Sequence, residues 1–369
     1  MKIAFCLGHL YTESIGGAEI QSANLIEHFI KNGHKIIYLS YGSKNNLEPE
    51  YFEKNFSIYR IKKPYMGIKT FEYLNKKHIY KILDKERPDI IYQRGDFHFA
   101  DIISVYGKIR ETPVISGISM ERHVHPEKIE LNKMILISLV NRILKKRYFK
   151  YSTRIISQTK EQKKKLKINL GYESEIFPNA HPIPKGPFAK NNPPKIIWVA
   201  NIKPIKKPEM FIDLAKRFQN KKIDFIMIGR SDKGKYQNKI NNLILDIPNL
   251  IYKGELSLEE TNKEISSSYL LINTSESEGF SNTFIQAWMR ETPVISMNSD
   301  PGGIITSNRI GFITPDIDEL FKKVKYLIEN PNEGLNMGKL ARRISIQKFS
   351  IEKIGDQYLE LFESLIKKR

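Results

Sequence analysis

The stretch Ser275-Glu-Ser-Glu278-Gly-Phe-Ser-Asn-Thr-Phe-Ile-Gln286-Ala-Trp-Met-Arg-Glu-Thr-Pro-Val-Ile-Ser296 reads as a loop, a helix and a strand in succession. Glu278 stands where the loop is expected to enter the helix, and Gln286 lies two helical turns further on. A hydroxylated ligand there would meet a carboxylate acceptor beside backbone N–H groups that the first helical turn leaves unpaired and that can hold phosphate oxygens. The amide of Gln286 both donates and accepts. The plainer alternative is an ordinary helix-strand unit of an α/β domain carrying an incidental acid.

Outward from this block, short β-branched or apolar runs alternate with longer helical patterns. Strands are expected near 2–7, 35–40, 57–61, 89–93, 113–117 and 153–157. A second series follows near 195–200, 223–228, 249–252, 268–272 and 293–296. Such alternation means parallel sheets covered by helices on both faces. Between the two series Phe177-Pro-Asn-Ala-His-Pro-Ile-Pro184 runs into Lys-Gly-Pro-Phe-Ala-Lys-Asn-Asn-Pro-Pro194, too rich in proline and glycine for helix or strand to continue. The expected organisation is an α/β chain of two Rossmann-like, doubly wound domains, residues 1–182 and 183–345, with a cleft at the carboxyl ends of their strands. The region from Asp318 onward is helical, and Tyr358, Leu359, Leu361, Phe362, Leu365 and Ile366 make its last segment amphipathic.

A length of 369 residues exceeds the usual single core, and 40% hydrophobic content supplies two. The one cysteine, Cys6, sits in the apolar run Ile3 to Leu7, which excludes an intrachain disulfide and fits a cytoplasmic setting. No run reaches the roughly 18 apolar residues of a spanning helix. No cluster of His, Asp and Glu has metal-ligand spacing, and Asp316-Ile-Asp318 reads as a helix cap. The formal net charge is +19, and residues 131–170 hold twelve Lys or Arg against Glu161 alone, which concentrates +11 there. With Met134-Ile-Leu-Ile-Ser-Leu-Val140 before it, this segment reads as a basic amphipathic helix able to lie on an anionic membrane surface through residues 131–167. Its other reading is a core helix with a solvated basic end. A nucleic-acid partner is not expected, because no recognition motif accompanies the charge.

Three further motifs stand where a site would need them. Gly16-Gly17-Ala-Glu19 follows the first strand and opens a helix; paired glycines let backbone pass close beneath a ligand, although many βα turns need them for geometry alone. Trp198-Val-Ala-Asn201-Ile-Lys203-Pro-Ile-Lys206-Lys207 opens the second half, and its lysines could hold a diphosphate or merely form a solvated loop. Ser119-Met-Glu-Arg-His123-Val-His125 follows the strand at 113–117.

Glu278-x7-Gln286 resembles the Glu-x7-Glu motif of the GT-B-fold retaining glycosyltransferases of family 4 (glycosyl transferases group 1). Asn201-x4-Lys206 is similar to that family's Gly-Arg-x5-Lys loop, and Gly16, Gly17 and Glu19 to its Gly-Gly-x-Glu turn. The resemblance covers roughly residues 1–330 and departs at Gln286, where the family has Glu, and at Asn201, where it has Arg. It implies that Glu278 contacts the transferred sugar, Gln286 the ribose and Lys206 the departing diphosphate, with Lys203 or Lys207 replacing the cation missing at 201. It places Gly279, Phe280, Ser281, Asn282, Thr283, Gly229, Arg230, Gly254 and Leu256 on the donor side, His123 as the catalytic histidine with His125 as the alternative, and Gly16, Gly17 and Glu19 on the acceptor side. It also implies that residues 346–369 form a helix crossing back onto the first domain.

The implied activity is transfer of a sugar from a nucleotide-diphosphate donor to a hydroxyl acceptor, with retention of configuration and without metal or other cofactor, in surface polysaccharide or lipid-linked glycan synthesis. The expected location is cytoplasmic, peripheral on the inner face of the cell membrane. Within the same fold an epimerase or a sugar-phosphate-accepting synthase stays open. So does a non-catalytic subunit that binds a sugar nucleotide or scaffolds a partner enzyme, because Asn201 and Gln286 depart from the pattern.

Overall fold

Parallel strands cannot be joined by a tight turn, so each pair needs a crossover, and this sequence supplies a helix between nearly every two strands. The computed structural model describes residues 1–10, 16–62, 73–95, 97–125, 135–231, 234–276 and 278–367. They form two units, Met1–Ala180 with Ile351–Arg369, and His181–Ser350.

The first unit contains β1 (Lys2–Cys6), α1 (Gly17–Lys31), β2 (Lys35–Gly42), β3 (Tyr51–Glu53), β4 (Phe56–Lys62), α2 (Lys76–Glu86), β5 (Ile90–Arg94), α3 (Phe97–Arg110), β6 (Val114–Gly117), α4 (Ile135–Tyr151), β7 (Arg154–Ser157), α5 (Lys160–Leu170) and β8 (Glu175–Ile176). The sheet order is β3-β4-β2-β1-β5-β6-β7-β8, parallel except where β3 pairs antiparallel with β4. Strand alternation divides β1 between two cores. Ile3 and Phe5 pack with Leu25, Ile26 and Phe29 of α1, whereas Ala4 and Cys6 pack with Ile79, Ile82 and Leu83 of α2 and Ile102 and Ile103 of α3. Burial pushes the Cys6 thiol far above its usual range, so it behaves as a small apolar side chain.

The second unit runs β9 (Lys195–Val199), α6 (Pro208–Arg217), β10 (Asp224–Ile228), α7 (Lys235–Ile244), β11 (Leu250–Tyr252), α8 (Leu258–Ser267), β12 (Leu270–Asn273), α9 (Asn282–Trp288), β13 (Val294–Met297), α10 (Ile304–Asn308), β14 (Gly311–Thr314), α11 (Ile317–Glu329) and α12 (Pro331–Phe349). Its six strands lie in the order β11-β10-β9-β12-β13-β14 and are all parallel. Asp316 caps α11 through Glu319 N at 2.8 Å, as its spacing predicts.

The chain passes between units at 180/181 and 350/351, where sequence composition places the first break at 182/183 and the family resemblance implies the second at 345/346. Side-chain bonding accounts for the first difference. Gln21 grips Ala180 by both backbone groups, donating to its carbonyl at 3.0 Å and accepting its N–H at 2.6 Å, so the first unit ends there and not at the prolines. Aromatic packing accounts for the second. α12 continues to Phe349, whose ring rests on Phe280 at 5.0 Å and stacks with Trp288 at 6.2 Å. The final helix, α13 (Ile351–Ile366), belongs to the first unit, with Ile354, Tyr358 and Phe362 in the same core as Phe5 and Phe29.

Candidate functional site

The six-stranded sheet reverses its winding between β9 and β12: the chain leaves β9 toward β10 and leaves β12 toward β13. Loops at such a switch point splay apart beyond the carboxyl ends of the strands and leave room for a ligand. Lys206 follows β9 and Glu278 follows β12.

Separated by 72 residues in sequence, the two side chains meet: Lys206 Nζ donates to Glu278 Oε1 at 2.5 Å, with the side chains 23% and 13% exposed. The loops carrying them are joined by backbone. Glu276 N donates to the Ile205 carbonyl at 3.0 Å, and Thr274 Oγ1 donates to the Lys206 carbonyl at 2.7 Å while accepting from Trp198 Nε1 at 2.9 Å. Lys206 closes a short turn, Pro204–Lys206, and Lys207 then takes a left-handed φ of 47° that aims Pro208 into the first turn of α6. Lys207 itself pairs with Glu276 at 2.7 Å, which raises its pKa.

The carboxylate is held by one oxygen. Glu278 Oε1 also accepts from Ser275 Oγ at 2.7 Å and from Asn273 Nδ2 at 3.4 Å, and Asn273 Oδ1 accepts from Ser296 Oγ at 3.2 Å. Among the described residues Oε2 has no hydrogen bond, which leaves it open to a ligand hydroxyl. Asn273, Ser275 and Ser296 are buried, and sequence reasoning did not single them out. Their signal was a polar run, Asn273-Thr274-Ser275, at the end of an apolar strand.

Two loops border this pair. Gly229 has φ 154°, and a Cβ there would lie 1.8 Å from the Ala200 carbonyl, so only glycine lets the β10 loop pass the β9 loop. Ile202 N donates to the Arg230 carbonyl at 2.8 Å, which sets the exposed Asn201 and Lys203 beside Gly229 and Arg230. Gly254 accepts from Gly229 N at 2.8 Å, and Leu256 packs against the core under β12.

The helix after Glu278 differs from the sequence expectation. α9 starts at Asn282, so Glu278 is a loop residue four positions ahead of it and the two-turn spacing to Gln286 does not hold. Ser281 precedes α9 without capping it, its hydroxyl pairing instead with Thr283 at 2.8 Å. Gly279 and Thr283 are half-buried. Phe280 is 8% and Gln286 3% exposed, so both are buried. Asn282 hydrogen-bonds His181, whose pKa burial lowers to about 4.

The remaining candidates belong to the first unit. Gly16 precedes α1, and the Glu19 carboxylate folds back over it: a Cβ at Gly16 would lie 2.2 Å from Glu19 Oε2. Gly17 is the exposed first residue of α1. His123 lies in the turn Glu121–Val124, 3% exposed, its Nδ1 accepting from Ser119 N at 3.5 Å. His125 is about half exposed, 3.7 Å from Glu121.

The basic segment divides by face. Lys145 is 1% exposed and donates to the His125 carbonyl, and Arg147 Nη2 lies 2.6 Å from Asp101, which is fully buried. These two cations are structural, whereas sequence alone groups them with Lys146 as surface charges. Arg142, Lys146 and Lys150 are exposed, lie on one stripe of α4 with Leu139 (41% exposed) and Ile143 (61%), and have no carboxylate partner among the described residues. Residues 126–134 lie outside the described residues. No helix among the described residues is long and apolar enough to cross a membrane.

Two doubly wound parallel sheets with a last helix returned to the first define a GT-B-type α/β protein, and solved structures agree. Sucrose-phosphate synthase from Thermosynechococcus elongatus superposes with TM-score 0.80 at 14% identity over 100% of both chains. Anabaena HepE in complex with UDP superposes with TM-score 0.72 at 13% identity, over 99% of this chain and 100% of that one. Residues 193–330, within the second unit, match the family model described as Glycosyl transferases group 1. Poly(ribitol-phosphate) alpha-N-acetylglucosaminyltransferase of Staphylococcus aureus is 26% identical over 175 residues, 45% of this chain and 34% of the relative. Trehalose synthase of Thermococcus litoralis is 32% identical over 108 residues, 28% of this chain and 26% of the relative. The matched segments thus span about a third or less of those relatives' own lengths.

Proposed function

We propose that this protein is a glycosyltransferase that moves a sugar from a nucleotide-diphosphate donor to a hydroxyl acceptor. The observation that carries this reading is the meeting of Lys206 and Glu278 at the switch point of a glycosyl transferases group 1 domain. In the reaction the bond from the sugar's anomeric carbon to the β-phosphate oxygen breaks, and its electron pair stays on that oxygen. The acceptor oxygen bonds to the same carbon, and its proton passes to the departing phosphate. Lys206 offsets the charge that builds on the diphosphate, while the open Oε2 of Glu278 takes a sugar hydroxyl. Removal of a comparable electrostatic donor in other enzymes costs about 10²- to 10³-fold in rate.

Retention follows if the acceptor attacks the face the diphosphate leaves, with the leaving oxygen as base. The proposal includes no metal, because Lys206, aided by Lys203, fills that role. The UDP bound to HepE and the polymer named for the S. aureus relative support a UDP-sugar donor and a surface glycan or lipid-linked acceptor. An acceptor of that kind would lie at an anionic membrane surface. The stripe of Leu139, Arg142, Ile143, Lys146 and Lys150 suits one, its cations for the headgroups and its apolar side chains for the interface.

The test is a panel of UDP-, GDP-, CDP- and ADP-sugars, read by thermal shift and by transfer of labelled sugar with the anomeric configuration of the product determined. A ligand at 100 times its Kd stabilises by about 2.7 kcal/mol. Binding without transfer to any acceptor would favour the non-catalytic subunit, and absence of binding would end the proposal.

A further inference from the structure

Three donors converge on one carboxylate oxygen of Glu278, and they are not equivalent. Ser275 and Asn273 leave the end of β12, are 1% and 5% exposed, and are fixed by their own bonds, Asn273 to Ser275 at 3.2 Å and to Ser296 at 3.2 Å. Lys206 reaches the same oxygen on a flexible stem from a neighbouring loop, with 23% of its side chain exposed. Under the proposed function Lys206 has a second duty, toward the diphosphate. A single ammonium has three N–H groups, but its charge cannot serve a carboxylate at 2.5 Å and a diphosphate equally well.

We propose that the diphosphate of the donor and the Glu278 carboxylate compete for Lys206, and that Ser275 and Asn273 are positioning residues that keep the carboxylate aimed once Lys206 has turned to the phosphate. Donor capture then frees the acid it needs. The ammonium leaves Oε1 for the diphosphate, the carboxylate loses its counter-ion, and its demand for hydrogen-bond donors passes to the sugar hydroxyls. A nucleoside diphosphate without sugar breaks the same ion pair and returns nothing to the carboxylate, so the intact donor is favoured over the product. This inference rests on the reading of the domain as a sugar-nucleotide site and adds how its two charged residues are coupled.

The experiment is calorimetric titration of the full chain with UDP and with inorganic diphosphate, paired with steady-state transfer kinetics. It uses wild type, Glu278→Gln, Ser275→Ala, Ser275→Thr and Lys206→Ala, with melting curves to confirm folding. Glu278→Gln keeps the shape and removes the competitor, so it should bind UDP and diphosphate about three- to tenfold more tightly while transfer falls. Ser275→Ala should leave UDP affinity within about twofold and lower kcat about tenfold or more, with Ser275→Thr restoring most of it. Lys206→Ala should weaken both ligands. Unchanged or weaker UDP binding by Glu278→Gln, with Lys206→Ala impaired, would overturn the competition and leave the site assignment standing. If Ser275→Ala transfers sugar at the wild-type rate, the positioning role is lost. Equal binding of UDP by wild type and Lys206→Ala, or no binding by wild type, removes the underlying site and the coupling with it.

Discussion

At the scale of single residues, the departures from the family pattern are the places to ask what charge does. Asn201 is exposed beside Gly229 and Arg230, with Lys203 two residues on, so a cation at 201 would face no steric barrier. Asn201→Arg is expected to tighten UDP binding about threefold to tenfold in calorimetry, the gain of one charge-assisted bond; weaker binding would show that the loop aims 201 away from the phosphates. Gln286 is a different case because it is buried. Arg290, one turn on, donates to the Gln286 carbonyl at 3.1 Å, and burial with Arg342 nearby lowers its pKa to about 10. A carboxylate at 286 would sit close to this cation, so Gln286→Glu should fold and keep transfer within about tenfold of wild type. Complete loss would mean that charge is excluded there. Neither position's environment was legible in the sequence, because burial is set by the fold; the motif spacing singled out Glu278 and Lys206 as candidates, and only the fold shows that their side chains meet across 72 residues.

At the scale of elements, the strands were read well and the helix faces poorly. Buried parallel strands are continuous apolar runs, so β1, β2, β5 and β12 announce themselves, while β3, β8 and β14 have three, two and four residues and no period to detect. For α4 a block of charge was legible but not its division, because a cation bonded to a buried acid from another helix looks the same in a list as one surrounded by water. Arg147 and Asp101 show the consequence. Arg147→Ala removes the ion pair from a fully buried carboxylate that keeps, among the described residues, only the Tyr73 hydroxyl as donor; with the Arg147 end of the pair partly in solvent, the first unit should lose about 1–2 kcal/mol in denaturant unfolding. Reversing Arg142, Lys146 and Lys150 to Glu should leave stability within about 1 kcal/mol and abolish sedimentation with acidic vesicles; retained sedimentation removes the membrane surface from the proposal. His181, beside α9, gives the second unit a pH dependence. It is 5% exposed, and burial holds its pKa at about 4 against an ordinary value of 6.5. The unfolded chain therefore takes up a proton between pH 6.5 and 4 that the folded unit refuses, so stability is full above 6.5 and falls toward 4, by about 3 kcal/mol in all. Melting curves of His181→Asn should show a smaller loss over that window.

At the scale of the whole molecule, the chain is divided unequally. The second unit is one continuous segment, and its ends close on each other, His181 N donating to the Phe349 carbonyl at 2.9 Å. The first unit is discontinuous and depends on its last helix. Ile354, Tyr358 and Phe362 of α13 are 3%, 3% and 0% exposed, and the Phe362 ring lies 5.8 Å from that of Phe29. A Cβ at Gly355 would come within 2.3 Å of the His28 ring, so the imidazole of α1 rests directly on the backbone of α13 at that point. Each such side chain contributes about 1.5–3 kcal/mol, so α13 carries stability on the scale of the 5–15 kcal/mol of an entire domain. Residues 1–180 alone should therefore lack cooperative unfolding, whereas residues 181–350 alone should fold. Because Lys206, Glu278, Gly229 and their supporting bonds all lie within that second segment, it should also bind UDP within about threefold of the full chain's affinity while transferring no sugar. Measured on the isolated fragment by calorimetry, a loss of UDP binding with folding intact would place part of the nucleotide site on the first unit. Restoration by added 1–180 would not be expected, since α13 would still be missing.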